Sequence, residues 1–175
     1  SLTNITIPDS VTSIGGSAFY RCNALKTIIL PNSLTSIGHF PRTGSAGDMA
    51  FMGCSSLENI YFGGSVDEWL QIEGLHDLMN YSSPYKKLYI NGELLTEAVI
   101  DTATGIDNDA FRGCTSITSV TIGDSVTSIG QWAFRGCSSL TNVSIGDSVT
   151  SIGESAFRSC SSLKSITIPD SVTSI

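Results

Sequence analysis

The sequence predicts a mostly-β solenoid, a chain that coils through stacked copies of one short repeat. Three observations support this fold class. The unit recurs every 23 residues, as the positions of Cys114, Cys137 and Cys160 show. Each unit opens with alternating apolar and polar residues, the pattern of a half-buried strand. A turn of Pro or Gly, then Asp or Asn, then Ser follows at the same place in most units. Self-similarity at such a period is typical of repeat architectures.

The first half of the first repeat is predicted to form a strand and a turn. Leu2, Ile5 and Ile7 point inward from a short strand, and the polar residues between them point outward. Pro8-Asp9-Ser10 then turns the chain, because proline presets φ and the Asp and Ser side chains cap nearby backbone N–H groups. One repeat therefore forms one rung of the solenoid.

The second half of the repeat returns to the core. Val11 and Ile14 lie on a second extended stretch, and Gly15 permits a sharp corner or a positive φ. Ala18-Phe19 is predicted to form a short helical or 3₁₀ turn. Cys22 closes the rung as a small buried residue. A single rung buries too little apolar surface to offset the entropy of ordering its residues, so stability must come from stacking.

The chain divides into seven such repeats within one solenoid domain, residues 1–175. Two stretches in the middle depart from the period: an insertion within 39–49, and residues 67–94, where the Ala-Phe…Cys half is replaced. The repeats are 2–24, 25–56, 57–94, 95–116, 117–139, 140–162 and the truncated 163–175.

The unit L-x-x-I-x-I-[PG]-[DN]-S-V-x-x-I-G-x-x-A-F-x-x-C resembles that of BspA-like, or Treponema pallidum-type, leucine-rich-repeat proteins over essentially the whole chain. Residues 61–69, YFGGSVDEW, resemble a variant repeat of that family, and residues 88–94, LYINGEL, resemble its hairpin, with Asn91-Gly92 suited to a type I′ turn. The resemblance implies a leucine-rich-repeat solenoid, curved and right-handed, with a parallel sheet of about seven rungs. It also implies a cell-surface or secreted protein of a bacterium or parasitic protist, often described as an adhesin.

Composition excludes some partners. Nine Lys and Arg residues face 16 Asp and Glu residues, a net charge of −7, so the basic stripe expected of a nucleic-acid-binding protein is missing. No run of 18 apolar residues occurs, and membrane insertion is not predicted.

The five cysteines occupy one repeat position and predict a ladder of buried thiols. Neighbouring rungs would hold their Cβ atoms too far apart for good disulfide geometry, although a disulfide or metal site remains the alternative. The chain has no C-x-x-C motif and no paired histidines, which zinc sites commonly use. We therefore predict no cofactor and no metal.

Gly123-Asp124-Ser125 has the form of a hydrolase nucleophile motif. The same slot reads Pro8-Asp9-Ser10 in the first repeat, so the repeat register favours a turn with a side-chain cap. A nucleophilic serine also needs a base, and His39 and His76 are the only histidines. One aspartate per rung falls short of the six to eight oxygens that calcium takes. We predict that the chain is not an enzyme, unless a histidine or carboxylate pocket forms around residues such as His76.

One pattern is not imposed by the repeat. At the third outward position of the first strand, Ile29, Tyr61 and Val99 are apolar where other rungs have Thr or Ser. Successive rungs would place these three side by side on the exposed sheet, as a contact patch. The alternative is cross-strand packing that only stabilises the sheet. The candidate partner-binding residues are Ile29, Tyr61, Val99, the charged rim of Lys26, Glu58 and Glu97, and Trp69 from the irregular segment.

The functional prediction is a non-enzymatic adhesion or interaction module. Its partner would be a protein or glycan on a host or neighbouring cell, bound through the exposed sheet face. The alternative is a structural spacer within a longer surface protein. Because the chain stops within a repeat at Ile175 without a polar capping repeat, we expect it to belong to a longer array, with end-to-end self-association through uncapped terminal rungs.

Overall fold

The fold is seen in a computed structural model, which describes residues 2–38 and 49–175. His39 and the predicted insertion, apart from Met49, lie outside the described residues. The elements are short, as expected for a solenoid. In chain order they are β1 (Asn4–Thr6), β2 (Ser13–Ile14), β3 (Thr27–Leu30), β4 (Ser36–Ile37), β5 (Asn59–Phe62), α1 (Val66–Trp69), α2 (Leu75–Asn80), β6 (Lys87–Ile90), β7 (Glu93–Leu94), β8 (Glu97–Ile100), β9 (Gly105–Ile106), β10 (Ser119–Ile122), β11 (Ser128–Ile129), β12 (Asn142–Ile145) and β13 (Ser151–Ile152).

The strands stack in parallel, as the repeat predicts. One sheet has the order β1-β3-β5-β6-β7 and a second has the order β12-β10-β8. The second extended stretch of each rung forms two smaller sheets, β2-β4 and β13-β11-β9. Strands pair at equivalent repeat positions, such as Ile5 with Ile28 and Val120 with Val143. The hairpin of β6 and β7 is the antiparallel exception. The mostly-β repeat fold with parallel sheets is therefore confirmed.

Inward residues of the strands form a continuous core. Leu25, Ile28 and Leu30 are buried, while Ile29 between the last two is exposed. The alternation follows from the pleat of a strand, which points successive side chains to opposite faces. Leu2 belongs to the same pattern but is 44% exposed.

The Ala-Phe segment forms hydrogen-bonded turns. The predicted short helix or 3₁₀ helix is wrong. Residues 16–21 form hydrogen-bonded turns, in which Ser17 and Arg21 have φ angles of 60° and 56°. Left-handed residues at both places prevent a helix from continuing. Gly15 does not adopt a positive φ. The reason for glycine at its repeat position is close packing: a Cβ on Gly130 would lie 2.6 Å from the backbone nitrogen of Asn108 in the preceding rung.

Phenylalanine and cysteine side chains join the rungs. The rings of Phe111 and Phe134 stack with centroids 5.3 Å apart, and Phe157 continues the stack at the same spacing. The thiols of Cys137 and Cys160 donate hydrogen bonds of 3.2 Å to the carbonyl oxygens of Phe111 and Phe134. All five cysteines are free, and four are buried, which supports the thiol ladder over disulfides. The first rungs repeat this arrangement: Phe19 stacks on Phe51, and the Cys54 thiol donates a hydrogen bond of 3.1 Å to the carbonyl oxygen of Phe19.

The irregular segment fills the core where the Ala-Phe…Cys half is missing. Ser65 caps α1 through a capping box with Glu68. The Asp67 carboxylate accepts hydrogen bonds from the backbone of residues 101–103, which ties α1 to the next rung. Buried Asp77 in α2 accepts a hydrogen bond of 3.2 Å from the backbone nitrogen of Ala50. Both helices are thus held by neighbouring rungs on either side.

Candidate functional site

The exposed face of the larger sheet carries a row of apolar side chains. Ile29 of β3 lies opposite Tyr61 of β5, as predicted. The next residue in the row is Tyr89 of β6, which pairs with Tyr61, and Leu94 of β7 lies opposite Tyr89. We call Ile29, Tyr61, Tyr89 and Leu94 the apolar strip. Neighbouring strands are about 4.8 Å apart, so the strip extends about 14 Å across four strands.

Val99 does not lie beside Tyr61, and this part of the sequence prediction is wrong. Val99 belongs to β8 in the second sheet, where it pairs with Thr121 and is 48% exposed. The physical reason is that the segment 57–94 adds two further strands, β6 and β7, between β5 and β8. The sequence signal for β6 was the alternation in Lys87-Leu88-Tyr89-Ile90, which matches the strand pattern around Tyr61.

The two tyrosines of the strip form a stacked pair. Their ring centroids are 4.1 Å apart and their planes meet at 9°. Loss of solvent and then the adjoining Tyr89 hydroxyl raise the pKa of Tyr61 above its usual value. Ile29 and Leu94 flank the pair and are 43% and 38% exposed. The inward neighbours Ile28 and Ile60 are fully buried, so the strip rests on a packed core.

Trp69 is not available to a partner, which corrects its place among the candidate residues. Its side chain is fully buried, and its indole nitrogen donates a hydrogen bond of 3.0 Å to the carbonyl oxygen of Ala110. The ring also packs edge-on against Phe62, with centroids 5.6 Å apart. Trp69 therefore anchors α1 in the core.

Two of the three charged candidates border the apolar strip. Lys26 and Glu58 are exposed just before β3 and β5, and the backbone nitrogen of Glu58 donates to the carbonyl of Lys26. Exposed Lys87 also borders the strip, because it lies two residues before Tyr89 in β6, in register with Asn59 and one position on from Glu58. Glu97 lies in β8 of the second sheet, so it borders Val99 and not the strip.

A cleft of about 350 Å³ opens beside the strip at the carboxyl ends of β1, β3 and β5. Tyr61, Ile29 and Thr6 occupy one column of outward positions and decrease in size along it. The open face of Tyr61 thus forms a wall above the smaller residues. Asp9 and Asn32 lie on the turns at the end of the cleft.

The sequence motifs with catalytic form are explained by turns. The Asp124 carboxylate accepts a hydrogen bond of 3.2 Å from the backbone nitrogen of Asp147 in the next rung. This bond joins two turns across rungs, whereas the repeat motif predicts a cap on the backbone of the same turn. His76 is 3.1 Å from Asp77 and lines a separate cleft of about 280 Å³ with Asp107 and Ser128. Desolvation raises the pKa of Asp107, and the nearby His76 imidazole opposes that shift. Across residues 2–38 and 49–175, no group of three His, Cys, Asp or Glu residues is arranged to hold a metal ion.

The helices are both short. Within the part of the chain that the structure describes, no helix is long and apolar enough to cross a membrane.

Comparison with known proteins agrees with the fold. A leucine-rich repeat protein from Bacteroides ovatus ATCC 8483 superposes with a TM-score of 0.54 at 26% identity, covering 99% of this chain and 44% of that one. The pneumococcal vaccine antigen PcpA gives a TM-score of 0.50 at 16% identity, with 98% and 57% coverage. A leucine rich cell surface protein from Faecalibacterium prausnitzii A2-165 gives 0.49 at 21% identity, with 99% and 69% coverage. The chain thus spans less than two thirds of the first two structures.

No curated protein matches the chain. The model of the BspA type leucine rich repeat region matches it in six copies, over residues 1–71 and 85–175. This match confirms the resemblance drawn from the repeat unit: the chain belongs to the BspA-type leucine-rich-repeat family.

Proposed function

We propose that the chain is a non-enzymatic interaction module of a cell-surface or secreted protein, and that it binds a protein or glycan partner through the apolar strip. The observation that supports this most is the contiguity of Ile29, Tyr61, Tyr89 and Leu94 on one exposed sheet face. The cell-surface or secreted location is the expectation from the family resemblance.

The strip has the chemistry of an interface centre. Tyrosine is enriched among the residues that contribute most to binding, because it offers a large contact area with few rotatable bonds. The two rings already restrict each other by stacking at 4.1 Å. These side chains would therefore lose little further conformational freedom when a partner binds. Such preorganisation lowers the entropic cost of association.

Exposed residues of both charges border the strip on one side. Lys26 and Glu58 lie just before β3 and β5, and Lys87 is the first residue of β6. Charges at an interface rim favour the correct register and orientation of a partner more than they add affinity. The rim therefore supports specific docking at the strip over non-specific apolar adhesion.

The spacer function remains the second candidate, and the second sheet favours it. Its outward positions carry Thr121 and Ser144 on β10 and β12, where the first sheet carries the strip, and Val99 on β8 is its one apolar residue in this column. Thr118 and Thr141 direct their hydroxyls to carbonyl oxygens of the preceding rung at 3.0 Å. Apart from Val99, this column carries small polar side chains, and the threonines that precede β10 and β12 are hydrogen-bonded between rungs, as suits a spacer.

The test is binding of the soluble chain to an array of matrix proteins and glycans. The variant combines Ile29→Thr, Tyr61→Thr and Tyr89→Thr, because threonine occupies the equivalent outward positions 6 and 121. The control combines Thr121→Ala and Ser144→Ala on the second sheet, and thermal unfolding verifies that all forms are folded. Our proposal expects a partner whose affinity falls at least about tenfold for the strip variant alone. Equal binding by the strip variant would contradict it, and no binder for any form would favour the spacer.

A further inference from the structure

The cleft beside the apolar strip has one charged residue. Its lining includes Thr6, Ile29, Asn32 and Tyr61, and among the described residues that line it Asp9 is the one with a formal charge at neutral pH. The chain as a whole has a charge of −7. The local and the overall charge therefore both favour a cationic group in the cleft.

Asp9 differs from its counterpart in a later rung. The carboxylate of Asp124 accepts a hydrogen bond from the backbone of Asp147. Across residues 2–38 and 49–175, no donor lies within hydrogen-bond distance of the Asp9 carboxylate. Its oxygens are exposed and available to a ligand.

Tyr61 offers an aromatic face to the same cleft. One face of its ring is covered by Tyr89 at 4.1 Å. The other face is turned toward Ile29 and Thr6, whose shorter side chains reach less far from the sheet than the outer part of the Tyr61 ring. The negative face of an aromatic ring attracts cations, and the planar guanidinium of arginine also stacks on it.

We propose that this cleft holds an arginine side chain of the partner, with its guanidinium stacked on Tyr61 and paired with Asp9. The proposal rests on the proposed function and names the chemistry of the partner's anchor, a protein segment that presents arginine. An arginine side chain can interact with both groups at once, because its N–H donors pair with the Asp9 carboxylate while the plane of the guanidinium stacks on the Tyr61 ring. The aliphatic part of the side chain would lie over Ile29. A neutral sugar would leave the charge of Asp9 without a counter-charge.

The test uses three small probes in separate NMR titrations of the 175-residue chain: N-acetyl-arginine amide, N-acetyl-citrulline amide and methyl glucoside. Citrulline has nearly the shape of arginine but no charge. We expect amide shifts around Asp9, Asn32 and Tyr61 with the arginine probe, and clearly weaker binding of the other two. We expect Asp9→Asn, which removes the ion pair and keeps the stacking on Tyr61, to lower the affinity for the arginine probe about two- to fivefold, the range for an exposed ion pair.

Asp170→Asn is the matched control, since Asp170 occupies the same turn position in a rung whose outward residue is Thr167. It should leave the titration unchanged. Equal binding of citrulline or glucoside, an unchanged affinity in Asp9→Asn, or no shift up to about 50 mM of the arginine probe would each overturn the proposal. Because the probes need no macromolecular partner, such a result leaves the array experiment on the apolar strip to stand or fall separately.

Discussion

Tyr61 and Tyr89 stack at 4.1 Å although 28 positions separate them in the chain, because β5 and β6 pair directly in the sheet. The contact joins a regular rung to the irregular segment that follows it. The two aromatic side chains, far apart in the sequence, thereby form one contiguous surface.

Tyr89→Phe is expected to lower the pKa of Tyr61. The Tyr89 hydroxyl is one of the causes, after loss of solvent, that raise this pKa, and phenylalanine removes it while keeping the stacked ring. The measurement is a pH titration of the Tyr61 ring carbon in ¹³C-tyrosine-labelled protein. Tyr85→Phe, at a tyrosine that is 68% exposed, is the control. An unchanged Tyr61 titration in Tyr89→Phe would show that the hydroxyls do not interact.

Gly130→Ala is expected to destabilise the fold by about 1–3 kcal/mol, the usual cost of overpacking. Its Cβ would lie 2.6 Å from the backbone nitrogen of Asn108, which cannot move without shifting a rung. Gly15→Ala is the matched control, because a Cβ at Gly15 meets nothing within 4 Å. Urea unfolding of both variants measures the difference. Equal stability of the two variants would mean that the rungs separate easily.

Because Lys86 is buried, we expect the free energy of unfolding to increase as the pH rises above about 8. Its side chain is 2% exposed and donates to the carbonyl oxygens of Ser83 and Arg112. Burial lowers its pKa from 10.5 to about 8. Below about pH 8 the folded protein carries the cost of a buried charge, and this cost disappears as the pH rises to 10.5, where the unfolded chain also loses the proton.

The test compares wild type with Lys86→Met across this pH window. The free energy of unfolding of wild type, relative to the variant, should rise by about 3 kcal/mol between pH 8 and 10.5. Lys87→Met, at the exposed lysine next in the chain, controls for the loss of a positive charge. A relative stability of Lys86→Met that does not change with pH would contradict this account of the buried ammonium.

The thiol ladder predicts the opposite trend at higher pH. Burial raises the pKa of the Cys114 thiol from 9.0 to about 12, although nearby Lys86 opposes the shift. The neutral thiol therefore contributes stability that is fully present below pH 9 and is lost as the pH rises toward 12. The loss from this one residue is about 4 kcal/mol over the full window.

Cys114→Ala and Cys114→Ser both remove the titrating group. Relative to either variant, wild type should lose stability steadily above pH 9 in chemical unfolding under reducing conditions. The two variants differ in volume and polarity, so they should differ by a constant offset and share one pH dependence. Divergent pH dependences would show that packing changes, and not ionisation, dominate.

Several features followed from local pattern alone. The 23-residue period and the alternation of apolar residues predicted parallel strands that pair at equivalent positions, including Ile29 with Tyr61. The family resemblance implied a hairpin at residues 88–94, and Asn91-Gly92, which suit its type I′ turn, have φ angles of 53° and 85°. Such features depend on side-chain periodicity and on backbone preferences of single residues, which a sequence displays directly.

Tertiary structure decided which residues share the exposed face. The repeat register placed Val99 beside Tyr61, but the segment after Trp69 returns as β6 and inserts Tyr89 there. Trp69 is buried because its indole reaches Ala110, 41 residues away. Only the folded chain shows that, among residues 2–38 and 49–175, Asp9 lacks the kind of donor that Asp124 has in the next rung. The repeat determines a rung and its stacking because both are local and periodic, whereas the neighbours of an irregular segment depend on the path that it takes through the core.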